Sequence, residues 1–193
     1  MCCRSTSARR IDFETLYARY RALPEGTKAE IAGGEIRVLP RPRPRHVRAT
    51  SVLGVRLGST FGFDADGPGG WVILVEPELR LGDEIRAPDL VGWRLERYEE
   101  PEDGPFTVVP DWVGEVLSSS TAKDDRAEKM PLFAAHGVQH LWLIDPGLRT
   151  LEVYRREGRL WLALGTHAED ARVHAEPFDA LELDLGALFR VPG

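Results

Sequence analysis

At 193 residues the chain has room for one hydrophobic core but not for two of ordinary size, and its 42% hydrophobic and 29% charged residues exclude a disordered or fibrous chain. A net charge of −6 argues against a protein that coats nucleic acid through bulk charge, and the only two cysteines, Cys2 and Cys3, are adjacent and cannot staple distant segments. With no apolar run approaching a membrane span, the expectation is one cytoplasmic domain over 1–193, with no membrane partner and with residues 1–10 as a mobile tail.

Asp12 stands as an N-cap before a helix running to about residue 22, with Phe13, Leu16, Tyr17 and Tyr20 at helical spacing and Leu23-Pro24-Glu25-Gly26 as its stop. Residues 30–38 then read as a hairpin turning at Gly33-Gly34, followed by a Pro/Arg loop over 40–44. From 45 to 61 the apolar residues Val47, Val52, Leu53, Val55, Leu57 and Phe61 fit a core-facing helix, closed by the turn-rich run 64–70. Three strands, 71–81, 85–93 and 112–117, are expected in one mixed sheet, with an acidic loop over 96–104 between the second and third.

Thr121 with Asp124 three residues on resembles a capping box, so a helix is expected over 122–136, ending at Gly137. Pro131 falls inside it, removes a backbone donor and demands a kink or a boundary there. The run His140-Leu141-Trp142-Leu143-Ile144 has the continuous apolar character of a buried central strand. After the turn Asp145-Pro146-Gly147 come a hairpin (151–154 and 160–164, turning at Glu157-Gly158), a short strand near Val173 and a helix over 180–189. The fold class is therefore α/β, or α+β with a mixed sheet. Its core order is helix, three strands, helix, strand, with an N-terminal helix and hairpin and a C-terminal hairpin as additions.

Two acids stand out by their surroundings. Asp89 in Ala-Pro-Asp-Leu-Val and Glu115 in Trp-Val-Gly-Glu-Val-Leu are each a lone carboxylate in an otherwise apolar strand. A buried carboxylate is strongly unfavourable without a cation, a metal or several donors beside it. Two carboxylates on neighbouring strands can hold Mg²⁺ or Mn²⁺, hard cations that prefer oxygen ligands and keep several waters. Such a site activates water and stabilises the charge that develops when a phosphodiester is cleaved. Lys129 is the matching cation, four residues from Asp125 on one helical face just after the strand that carries Glu115. Between Arg37 and Arg48 lie five arginines and one histidine with no acid among them; Arg41, Arg43, Arg45 and Arg48 are candidates for contacts to a nucleic-acid backbone.

Other chemistries are poorly supported. Ser118-Ser119-Ser120 lacks the glycine-flanked elbow of a serine nucleophile, and loop serines before a helix are mostly caps. His136 and His140 have metal-ligand spacing only on a continuous helix, which Gly137 should break. Gly67-Pro68-Gly69-Gly70 lacks the lysine and the following helix of a phosphate-binding loop.

The stretch PDWVGEVLSSSTAKDDRAEKMPLFAAHGVQHLWLIDP, with the upstream APDL and EIAGGEIRV, closely resembles the Uma-type family of restriction-endonuclease-like proteins, and the resemblance extends through LRTLEVYR to PFDALELDLGALF. It implies the PD-(D/E)XK nuclease fold, whose core order agrees with the one read above. It also implies a Mg²⁺- or Mn²⁺-dependent endonuclease acting on DNA, with homodimers common to the fold. In its terms Asp89 is the aspartate of the PD element and Glu115 the acid of the third strand; both are metal and catalytic candidates. The superfamily's usual lysine position falls on Leu117, which strand alternation places on the face of Glu115. A lysine moved onto the following helix is the family's replacement, which points to Lys129. Glu30 and His46 match recurring family positions and, with Asp125, are candidates for support of the site. The missing strand lysine leaves open a second reading, a nuclease-fold module without turnover that binds nucleic acid or a protein partner.

Overall fold

The computed structural model describes residues 11–62 and 68–190. The expected tail with Cys2 and Cys3, and most of the turn run 64–70, lie outside those residues.

In chain order the elements are α1 (Phe13–Arg21), β1 (Ala29–Ala32), β2 (Glu35–Val38), α2 (Pro44–Leu57) running into a π turn (Gly58–Gly62), β3 (Trp71–Val75), β4 (Leu79–Leu81), β5 (Glu84–Arg86), β6 (Leu90–Arg94) and β7 (Trp112–Val116). There follow α3 (Ala122–Asp124), a π turn (Asp125–Lys129), α4 (Met130–His136), β8 (His140–Asp145), β9 (Thr150–Glu157), β10 (Leu160–Ala168), β11 (Arg172–Val173), β12 (Leu183–Asp184) and α5 (Leu185–Phe189). Asp12 caps α1, its Oδ1 accepting from the Thr15 amide at 2.9 Å. Gly33 and Gly34, with φ of 62° and 83°, make the tight turn between β1 and β2.

The strands do not form one sheet. A six-stranded sheet has the order β10-β9-β8-β7-β6-β3, and β2-β1-β5-β4 make a second sheet of four. The expected strand 71–81 breaks at Glu76-Pro77, where Glu76 turns at φ 52° and the proline offers no donor. The expected strand 85–93 breaks likewise at Pro88, so the hairpin β4–β5 leaves the large sheet and pairs with β1. All pairs of the large sheet are antiparallel except β7 with β8. That parallel pair requires a crossover, supplied by the helical segment from α3 to α4. Taken along the chain, α2, β3, β6, β7, the crossover and β8 give helix, three strands, helix, strand, with β4–β5 as an insertion.

The two faces of the large sheet bury different sets. Trp71, Trp112, Trp142 and Phe178 join Ala49, Leu53 and Leu57 of α2 on one face; Val91, Val113, Leu117, Leu141 and Leu143 join Phe133 of α4 on the other. Alternation along β7 therefore puts Glu115 between Val113 and Leu117 on the α4 face. Gly114 belongs to the opposite face, where a Cβ would stand 2.8 Å from the Trp112 ring. That ring is edge-on to Trp142 and Phe178, with centroids 5.4 and 5.0 Å away, and has nowhere to go. Gly114→Ala is expected to cost about 1–3 kcal/mol through overpacking, read as a lower guanidinium midpoint; an unchanged midpoint would show that the Trp cluster yields.

Other expectations at element ends are corrected. Thr121 makes no capping hydrogen bond; its hydroxyl instead accepts from the Ser118 amide at 3.3 Å, so the capping box is absent. The final helix is Leu185–Phe189 rather than 180–189, because Leu183–Asp184 pair as β12 with β11. Pro131 marks a boundary rather than a position inside one regular helix: the π turn ends at Lys129, with the Met130 amide donating to the Asp125 carbonyl, and α4 starts at Met130 with the proline in its first turn, where a backbone donor is not needed. Gly137 ends α4 at φ 97°, its amide donating to Phe133 O.

Candidate active site

Five separate pieces of chain meet at one cavity of about 340 Å³, and each contributes a residue through its local structure. β1 supplies Glu30, the first turn of α2 supplies His46, and the end of β5 with its connection to β6 supplies Arg86 and Asp89. β7 supplies Glu115, and the π turn supplies Asp125 and Lys129.

Leu90 pairs with Gly114 in the antiparallel ladder of β6 and β7, so one further step sets Asp89 opposite Glu115. Asp89 Oδ2 accepts from the Val116 amide at 2.7 Å, and its Oδ1 lies 2.9 Å from His46 Nε2. Those two bonds fix the carboxylate while leaving it in the cavity wall. Glu115 is 1% exposed, and its Oε1 has no partner in hydrogen-bond geometry although Lys129 Nζ lies 3.0 Å away. The Lys129 ammonium is the cation that offsets this buried charge.

Lys129 sits at the centre of three carboxylates, with Nζ 3.0 Å from Glu115, 3.2 Å from Asp125 and 3.7 Å from Glu30. The exposed Asp–Lys pair that i,i+4 spacing usually gives is not what forms, since Asp125 is 2% and Lys129 8% exposed. The π turn ahead of Pro131 carries both residues and buries both, and such wide turns recur at functional sites. Burial works against the Lys129 ammonium, but Glu115, Glu30 and Asp125 outweigh it and hold its pKa above the usual lysine range. Burial pushes the carboxyls of Glu115 and Asp125 above their ordinary values, with Lys129 pulling each back. Leu117, at the usual lysine position of the fold, is buried in the core of the α4 face.

Glu30 is itself held by two donors, the Ala87 amide at 3.0 Å and Arg86 Nη1 at 3.1 Å. Arg86 is missing from the residues singled out in the sequence. It is 3% exposed, and it also binds Glu84 at 2.6 Å and approaches Glu128 at 3.6 Å. Its signal in the sequence was a lone cation in Glu-Ile-Arg-Ala-Pro-Asp, three residues ahead of Asp89. Arg37 closes the chain of charges by pairing with Glu128 at 2.7 Å.

The four arginines grouped as one stripe divide. Arg41 and Arg43 line the cavity and have no carboxylate partner among the described residues; Arg45 and Arg48 line a separate cavity. His136 and His140 do not meet: His136 Nδ1 pairs with Leu132 O at 3.0 Å, while His140 lies in β8 near Glu176. Ser118 and Ser120 line the cavity, but among the described residues the Ser118 hydroxyl bonds only to the hydroxyls of Ser120 and Thr121.

A family profile described as "Uma2: Putative restriction endonuclease" matches residues 13–186. The chain belongs to the Uma2 family. A solved structure described as "a putative nuclease belonging to DUF820 from Anabaena variabilis ATCC 29413" is similar to this Uma2 chain with a TM-score of 0.72 and 26% identity, covering 89% of this chain and 96% of that one. No curated protein matches. The mixed sheet, the helix, three-strand, helix, strand core and this likeness make the fold restriction-endonuclease-like. Among the described residues no helix is long and apolar enough to cross a membrane.

Proposed function

We propose that this Uma2 member is an endonuclease that hydrolyses DNA phosphodiester bonds with Mg²⁺ or Mn²⁺ held by Asp89 and Glu115. The observation that carries the reading is the placement of two buried carboxylates opposite each other, beside a buried lysine, in a cavity lined by two arginines that have no carboxylate partner among the described residues. The residues fit a hard cation: Asp89 and Glu115 stand opposite each other, both offer carboxylate oxygens, and water and phosphate can complete the shell. When bound, such an ion supplies activation of a water and stabilisation of the charge developing on phosphorus.

The chain's own groups do the rest. Arg41 and Arg43 draw the phosphate backbone into the cavity. His46 and the Val116 amide orient Asp89. Lys129 stays charged and hydrogen-bonds a phosphate oxygen or the attacking water, while Asp125 and Glu30 keep its ammonium in place. In the reaction, water oxygen bonds to phosphorus and the bond to one sugar oxygen breaks, leaving a phosphate monoester and a hydroxyl.

One observation favours a second reading, DNA binding without turnover. The Lys129 ammonium already stands against Glu115, Asp125 and Glu30, beside the carboxylate that an ion would need. Calorimetric titration with Mn²⁺, paired with nicking of supercoiled plasmid, separates the two. The nuclease reading expects Mn²⁺ to bind the wild type and to bind Asp89→Asn at least about tenfold more weakly, a loss of ~1.4 kcal/mol, with nicking by the wild type. Equal Mn²⁺ affinity in both proteins would remove Asp89 from the ligands. DNA bound but never nicked would leave the binding module.

A further inference from the structure

A second cavity of about 250 Å³ shares no residue with the first. Its wall holds Arg45 and Arg48 from the first turns of α2, Arg149 from the turn before β9, Pro146 and Gly147, and Phe189 of α5. Three guanidinium groups around one small space need an explanation. Arg149 is anchored from behind, Nη1 on Glu169 at 2.9 Å and Nη2 on Asp170 at 2.8 Å. Arg48 is fixed through Nη2, which donates to Ala187 O at 3.3 Å. Arg45 is exposed and has no carboxylate partner among the described residues.

The Nε groups of both Arg48 and Arg149 are buried and have no acceptor among the described residues. Those nitrogens lie behind the cavity surface, and what faces the space is three guanidinium side chains, a concentration of positive charge that favours an anion. The start of α2 adds to the same field. Arg43 caps the helix without a side-chain hydrogen bond, and the first turn holds no acid, so its free amides and positive dipole end are not neutralised. The ligand indicated is an anion with several acceptor oxygens. Phe189 and Pro146 add an apolar wall that suits a sugar better than a bare ion.

We infer that this cavity is a phosphate-binding subsite that takes one backbone phosphate, with its sugar, of a nucleic-acid strand whose scissile phosphate enters the first cavity. The inference rests on the nuclease reading above. The two cavities are close enough for one strand: Arg43 lines the first and Arg45 the second, two residues apart and so at most about 7 Å between Cα atoms. The subsite also accounts for the division of the arginines, two serving the cleavage cavity and two serving the flanking phosphate.

The test is fluorescence anisotropy of a labelled DNA duplex and of its single strand, with a chelator present so that nothing is cut, over a range of salt. Arg45→Glu is the leading variant because Arg45 is exposed and the change leaves the core untouched. Arg56→Glu, an exposed position on the same helix outside both cavities, makes the same change in net charge and serves as the control. Arg45→Glu is expected to weaken binding at least about tenfold and to lower the salt slope by about one, with Arg48→Gln lowering it further; the control should change affinity less than about threefold. If Arg45→Glu and Arg56→Glu weaken binding alike, the subsite is wrong, while Mn²⁺ binding and nicking by the wild type leave the nuclease reading standing. If the wild type binds neither duplex nor single strand, both fall together.

Discussion

Lys129→Met is expected to lower the unfolding free energy by about 3–5 kcal/mol, the usual cost of removing one partner from a buried ionic cluster. The cost comes from what remains, not from the lost side chain, whose apolar length methionine reproduces. Glu115, Asp125 and Glu30 are each 1–2% exposed and would lose the ammonium that offsets them, leaving Arg86 and the Ala87 amide on Glu30. The pH dependence identifies this mechanism. Lys129 is raised above its ordinary value, so its contribution is fully present below 10.5 and is lost only as pH climbs through the still higher folded value; between pH 5 and 8 it is constant. Glu115 and Asp125 are raised by burial, so the stability linked to their neutral forms is fully present below their ordinary values of 4.5 and 3.8 and is lost as pH rises through the folded values. Lys129 at present limits both shifts. Without it they grow, and the variant should be destabilised more at pH 8 than at pH 5. Urea titrations at the two pH values measure this. A deficit of equal size at both would mean that lost packing, not uncompensated charge, sets the cost.

The site was more legible in the sequence than the architecture around it. Asp89 and Glu115 stood out because a lone acid in an apolar strand has few inexpensive explanations, and Lys129 because i,i+4 spacing ties it to Asp125. What sequence spacing does not carry is depth. The same Asp–Lys spacing describes an exposed pair and a buried one, and only the packing of the π turn against β7 decides between them. Glu30 illustrates a second limit. All four residues of β1 are buried, so alternation says nothing about which side of that strand faces the cavity. The second sheet escaped because Pro77 and Pro88 mark the ends of strands but not where the next strand will pair. The arginines were grouped by proximity in sequence, whereas α2 begins among them. Helical periodicity keeps Arg45 and Arg48, three apart, on one side and turns His46 toward Asp89 on another.

Glu115→Gln separates catalysis from folding at the same position. Glutamine keeps the shape and one acceptor oxygen but gives up the charge that would hold a divalent ion opposite Asp89. On the nuclease reading, plasmid cleavage should fall by about a hundredfold or more, equivalent to ~2.7 kcal/mol of lost transition-state stabilisation. Stability should move much less than in Lys129→Met, because the ammonium keeps Asp125 at 3.2 Å and Glu30 at 3.7 Å while one costly buried charge disappears. The sign of the pH effect also reverses between the variants. Wild-type protein loses stability as pH rises through the raised value of Glu115, and glutamine has no such transition, so Glu115→Gln should compare better with the wild type at pH 8 than at pH 5. Cleavage and denaturation measured on one preparation give both answers. A variant that cuts plasmid as fast as the wild type would eliminate Glu115 as a metal ligand. One that loses cleavage and stability together would show that the carboxylate's first role is to hold Lys129 and the π turn in place.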